Sequence, residues 1–107
     1  MKFFLDVKTT PIASATLIAR GEMRRDEADY LLDRCADLPR DVRELLINLD
    51  GLAVVDPRAL GRVVLGMRHW TQARQGRAEF IASRSRLTQA VLADQPAPAI
   101  AGALSML

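Results

Sequence analysis

The chain has 107 residues, of which 50% are apolar and 26% charged, and a net charge of +2. That is about one domain's worth of chain, with room for one core and one modest surface site, and the composition excludes a fully disordered chain. The single cysteine, Cys35, excludes an intrachain disulfide, and with His69 as the only histidine no metal cluster or cofactor is implied. The N-terminal apolar run is cut by Asp6, too early for a signal peptide, and no stretch approaches the ~18 apolar residues of a membrane span. A soluble, intracellular protein is therefore expected, with residues 1–107 as a single domain. The charge is uneven. Residues 1–56 carry 8 basic and 11 acidic residues, and residues 57–107 carry 7 basic and 2 acidic, every basic one an arginine.

Residues 3–7 predict a strand, Thr9-Thr10-Pro11 a turn, and residues 14–20 a second strand, together a hairpin. Gly21-Glu22-Met23 interrupts the pattern. Asp26 then predicts a helix N-cap, with Asp29 in capping-box position. Ala28, Leu31, Leu32, Cys35 and Leu38 give that helix an apolar face, and Pro39 stops it. Cys35 on this face reads as a small buried hydrophobe. Residues 44–49 predict the core strand. The continuous Leu45-Leu46-Ile47 suits burial on both faces, with cover on one face as the alternative. Asp50-Gly51 predicts a turn, and Val54-Val55 extends the apolar character.

Asp56-Pro57 opens a second helix, the aspartate capping free amides and the proline fitting the first helical position. It runs to about Gln75, with Gly76 as its stop and Leu60, Val63, Val64, Met67 and Trp70 on its apolar side. Gly61 and Gly66 each cost this helix about 1 kcal/mol relative to alanine, which close packing against a sheet would offset. Residues 78–82 predict a last strand. Ser83 or Ser85 caps a further helix through Leu92, and Pro96 and Pro98 end it. The tail 99–107 has helical spacing and either docks on the body, packs on a partner, including a second copy, or frays. The order β-β-α-β-α-β-α gives a mixed α/β fold, a sheet of about four strands covered by helices.

Three segments carry a family resemblance. Gly21-Glu22-Met23 follows a strand and precedes a helix. Leu45-Leu46-Ile47-Asn48-Leu49-Asp50-Gly51 forms an aliphatic strand ending in Asp-Gly. Val54-Val55-Asp56-Pro57-Arg58-Ala59-Leu60-Gly61 follows at the right distance. In order and spacing, over roughly residues 12–93, these resemble the STAS domain of bacterial anti-sigma factor antagonists and of sulfate-transporter tails. The resemblance implies a regulatory module in signal transduction and transcription control that docks on an anti-sigma factor of kinase type, through Asp56, Pro57, Arg58, Leu60 and Arg62. It also exposes a departure. The family's antagonists are phosphorylated on a serine or threonine just after the aspartate, whereas here Pro57 and Arg58 occupy those positions, so no phosphoacceptor is present. A phosphoserine would bring about −1.5 to −2 charge to a helix N-terminus; Arg58 brings a fixed positive one.

A second reading is a STAS subunit of a transport assembly, such as a phospholipid-transport complex, docking on its ATPase. A third is nucleic-acid binding by the arginine-rich half. It lacks support from any run of adjacent basic residues or interleaved aromatics, and ordinary solvated arginines account for the charge. Enzyme chemistry has less to build on. His69 is the only histidine available as a base and lies mid-helix, with no nucleophile motif beside it. Gly61-Arg62-Val63-Val64-Leu65-Gly66 has P-loop glycine spacing, but Met67 and Arg68 replace the required Lys-Ser/Thr and the segment reads as helix. Trp70 reads as a packing residue.

Overall fold

Strand alternation and two parallel crossovers decide the architecture. The computed structural model describes residues 3–10, 13–83 and 88–89. In chain order they form β1 (Phe3–Thr10), β2 (Ser14–Met23), α1 (Arg25–Ala36), β3 (Glu44–Val55), α2 (Pro57–Arg74) and β4 (Arg77–Ile81). One sheet results, in the order β1-β2-β3-β4. β1 pairs antiparallel with β2 as the expected hairpin, whereas β2, β3 and β4 run parallel. Successive parallel neighbours joined by right-handed crossovers place both connecting helices on the same face. The core therefore lies between one sheet face and the two helices. Ala15, Leu17 and Ala19 of β2, Leu45, Ile47 and Leu49 of β3, and Ala78 and Phe80 of β4 meet Leu31 of α1 and Leu60, Val63, Val64 and Met67 of α2 there. The expected final helix and the 96–107 tail lie outside the described residues, apart from Thr88 and Gln89.

Several boundaries differ from those the sequence predicts. Leu46 is only half-buried between the fully buried Leu45 and Ile47, so β3 is an alternating strand with one helix-covered face. Asp50-Gly51 is no turn, because β3 runs on to Val55 beside β2. The ladder slips at Ile18/Arg20 and again at Gly21/Glu22, where Gly21 takes a φ of 96°. Gly51 lies beside the first slip. A Cβ there would stand 2.8 Å from Arg20 Cγ and 2.9 Å from the Ala19 carbonyl oxygen. A glycine in a strand thus marks a bulge rather than a chain reversal. Gly21-Glu22-Met23 likewise belongs to β2, and Thr9 and Thr10 belong to β1.

Helix α1 starts at Arg25, so Asp26 stands in the first turn rather than at the cap. Arg24 is the N-cap; its backbone N–H donates to Glu27 Oε1 at 2.9 Å, and arginine has no acceptor to return the bond. The far end of α1 is closed from outside. Arg74 of α2 donates through Nη1 to the Pro39 and Val42 carbonyls (2.6 and 3.2 Å) and through Nη2 to those of Ala36 and Leu38 (3.2 and 2.9 Å). The guanidinium lies 4.9 Å above the Trp70 ring, whose Nε1–H donates to the Cys35 carbonyl at 3.0 Å. Trp70 and Cys35 are thus buried packing residues, as expected. Gly66 supports the same helix pair. A Cβ there would overlap Leu32 Cδ2 of α1, so the close approach is to the neighbouring helix and not to the sheet, while Gly61 has open space around it.

Candidate functional site

The loop between β3 and α2 sits where the parallel strands β2 and β3 end together, Glu22 beside Val54 and Met23 beside Val55. Asp56 is fixed from three directions. Its N–H donates to the Met23 carbonyl (2.9 Å), its Oδ1 accepts the Arg58 N–H (2.9 Å), and its carbonyl accepts the Leu60 N–H (3.0 Å). This is the N-cap expected of an Asp-Pro pair, with extended backbone at Asp56 and Pro57 opening the helix. The turn is therefore rigid, and its outward residues are presented in one orientation.

Those residues are Val54, Pro57 and Arg58, all exposed. The Arg58 guanidinium has no partner among the described residues. Its charge at a helix N-terminus opposes the dipole by a few tenths of a kcal/mol, on the order of the exposed-site minimum, and the Asp56 carboxylate offsets part of this. Arg62, one turn on, is engaged within the protein. Its Nη2 and Nε donate to Asp29 Oδ1 of α1 at 2.6 and 3.2 Å, with both side chains about half exposed (45% and 46%). Such a surface pair adds little stability, but it holds Arg62 against α1. Leu60 is fully buried beneath the turn. It has no surface to offer a partner and anchors the helix start instead. The Glu22–Arg24 ion pair at 3.2 Å lies at the adjacent end of β2.

Sequence reasoning missed Asp29 and Leu65, and included Val54 only as part of the 54–58 turn. Asp29 lies 33 residues from Arg62, and nothing local pairs them. Val54 extends the apolar character of the strand, and the alternation of β3 turns it outward at 41% exposure. Leu65 is 52% exposed on the outer side of α2. A signal for it exists, because Arg58, Arg62 and Leu65 fall at i, i+4 and i+7, placing an apolar residue on the polar face. The surface at this end is thus a rigid turn with one open cation, followed by a helix face with an ion pair and an exposed leucine.

A separate groove of about 950 Å³ lies at the opposite end of α2, lined by Asp37, Arg40, Arg43, His69 and Trp70 among others. His69 is exposed there. The P-loop-like glycine segment is entirely helical. Among the described residues no group of three or more His, Cys, Asp or Glu is placed to hold a metal ion, and no helix is long and apolar enough to cross a membrane.

No protein-family model and no curated protein matches the chain. Solved structures do. The anti-sigma factor antagonist SpoIIAA in its unphosphorylated form superposes with a TM-score of 0.69 at 18% identity, over 87% of this chain and 84% of that one. An anti-sigma factor antagonist from Mycobacterium paratuberculosis gives a TM-score of 0.62 at 15% identity, over 98% and 93%. A crystal structure of Mglu gives 0.59 at 25% identity over 72% of this chain, which spans only 18% of Mglu. These likenesses establish the fold: a four-stranded mixed sheet with helices on it, the STAS architecture of SpoIIAA.

Proposed function

We propose that the chain is a cytoplasmic protein-binding module of the anti-sigma factor antagonist type, with no chemistry of its own. It docks through Val54, Pro57 and Arg58 and along the Arg62–Leu65 face of α2. The observation that carries this reading is the rigid, Asp56-capped turn that presents Arg58 unpaired at the start of a helix, in a fold shared with two anti-sigma factor antagonists. Arg58 reads an acidic group on the partner. Asp56 sets the turn, Leu60 seats the helix, and Arg62 contributes through its pair with Asp29. Pro57 and Arg58 leave residues 54–62 without a hydroxyl, so control comes from expression or competition rather than from phosphorylation of the turn.

A pull-down with wild type, Arg58→Ser and Arg58→Glu tests this. An anti-sigma factor of kinase type is expected with wild type and is reduced at least tenfold with Arg58→Glu. Equal recovery of every partner with all three would remove the turn from the interface. An ATPase recovered together with a permease would replace the regulatory reading by the transport one. Phosphate at Ser14, Ser83 or Ser85 that abolished binding would overturn the mode of control.

A further inference from the structure

β1 is an edge strand of eight residues, paired in unbroken register with β2 on one side and with no described residue on the other. Sheet edges are usually blunted by proline, bulges, shortness or charge. β1 has no proline and no slip in its register, and both irregularities of the sheet fall between β2 and β3. Three of the chain's five aromatic residues gather at its start, the residue type that marks interfaces. Phe3 meets Tyr30 of α1 edge-to-face at 6.4 Å, while Phe4 and Tyr30 remain 58% and 49% exposed.

The charges on this edge are self-complementary. Val7 is half-buried on the helix-covered face, and Asp6 and Lys8 flank it, exposed on the opposite face. If a second copy of β1 runs antiparallel about a two-fold axis at Val7, Val7 faces Val7 of the second copy. Asp6 then faces Lys8 of the second copy and Lys8 faces its Asp6. Directly opposed residues of this kind lie close enough to interact, and opposite charges or β-branched pairs stabilise the pairing. An axis at Asp6 or at Lys8 would set like charges against each other, whereas the Val7 axis is the one that pairs Asp6 with Lys8 twice. Asp6 already holds Arg20 at 3.4 Å, whereas Lys8 has no acidic partner among the described residues. A lysine on an edge repels an arbitrary strand and accepts one that brings an acid to it.

We propose that the β1 edge is a self-association surface. Two copies join their sheets antiparallel across a two-fold axis at Val7 into one continuous sheet, an isologous contact. The inference is independent of the docking turn, which lies two strands away and is presented twice in such a dimer. Charge swaps test it, read by sedimentation velocity, with circular dichroism confirming that each variant folds. Wild type is expected to show a concentration-dependent mass of two chains. Asp6→Lys and Lys8→Glu each remain single chains, while an equimolar mixture of the two, or the double variant, pairs again. A wild type that stays a single chain at every attainable concentration would overturn the proposal. So would single reversals that pair as strongly as wild type, or a mixture that fails to restore pairing.

Discussion

Gln75 and Gly76 exchange the roles that their identities suggest. Helices often end on a glycine in the left-handed region, and Gly76 looks like that residue. Here Gln75 holds the left-handed conformation, with φ 53° and ψ 44°. Gly76 serves proximity instead. A Cβ there would overlap the Arg43 carbonyl oxygen, which also accepts the Arg77 N–H at 2.7 Å where β4 begins beside β3. The two positions therefore respond oppositely to substitution. Gly76→Ala is expected to destabilise by about 2 kcal/mol, in the range of forced backbone displacement. Gln75→Gly should be neutral or stabilising by up to about 1 kcal/mol, because it removes left-handed strain while raising unfolded-chain entropy. Urea denaturation of both variants measures the pair. Equal losses would mean that the left-handed residue, and not the close approach, dictates this corner.

Among the elements, α2 was the most legible from sequence and β3 the least complete. The Asp56-Pro57 start and the spacing of Leu60, Val63, Val64 and Met67 are local signals that tertiary structure did not override. The sequence pattern ends β3 early because Asp-Gly ordinarily reverses a chain. The reason it does not here, the approach of Gly51 to Arg20 of another strand, depends on a neighbour 31 positions earlier. The proposed docking surface divides in the same way. Asp56 and Arg58 could be placed from the cap alone, but the Arg62–Asp29 pair and the burial of Leu60 required the helices to be packed. The two glycines inside α2 carry the matching prediction. Gly61 has open space where a side chain would go, so Gly61→Ala should stabilise by about 0.5–1 kcal/mol through helix propensity. Gly66→Ala should not gain this, because Leu32 occupies the space. Thermal unfolding of the two variants decides the matter, and equal gains would contradict the seam between α1 and α2.

At the scale of the whole molecule, Cys35 reports on the core. Its thiol is fully buried, and burial pushes it up from 9.0 to about 12, with Arg74 pulling the other way. The folded protein keeps a proton that the unfolded chain releases from about pH 9. Stability from this group is therefore complete below about pH 9 and declines as pH rises toward about 12, by on the order of a few kcal/mol. Denaturation at about pH 8 and about pH 11 should show this decline, and a Cys35→Ala control should lack that share of it. Thiol reagents at neutral pH should label the native chain only as fast as its core opens; prompt labelling would contradict the burial. The same region bears on how the molecule assembles. The last carbonyls of α1 and the loop after it are closed by Arg74, which follows them by 32 to 38 positions. The end of the first helix is thus completed by the second. Residues 36–42 cannot reach their final hydrogen-bonded state until the intervening strand has been made and α2 has wound through to its last turn. A segment near the middle of the chain is among the late ones to settle, and the order of events along the polypeptide is not the order in which it is synthesised.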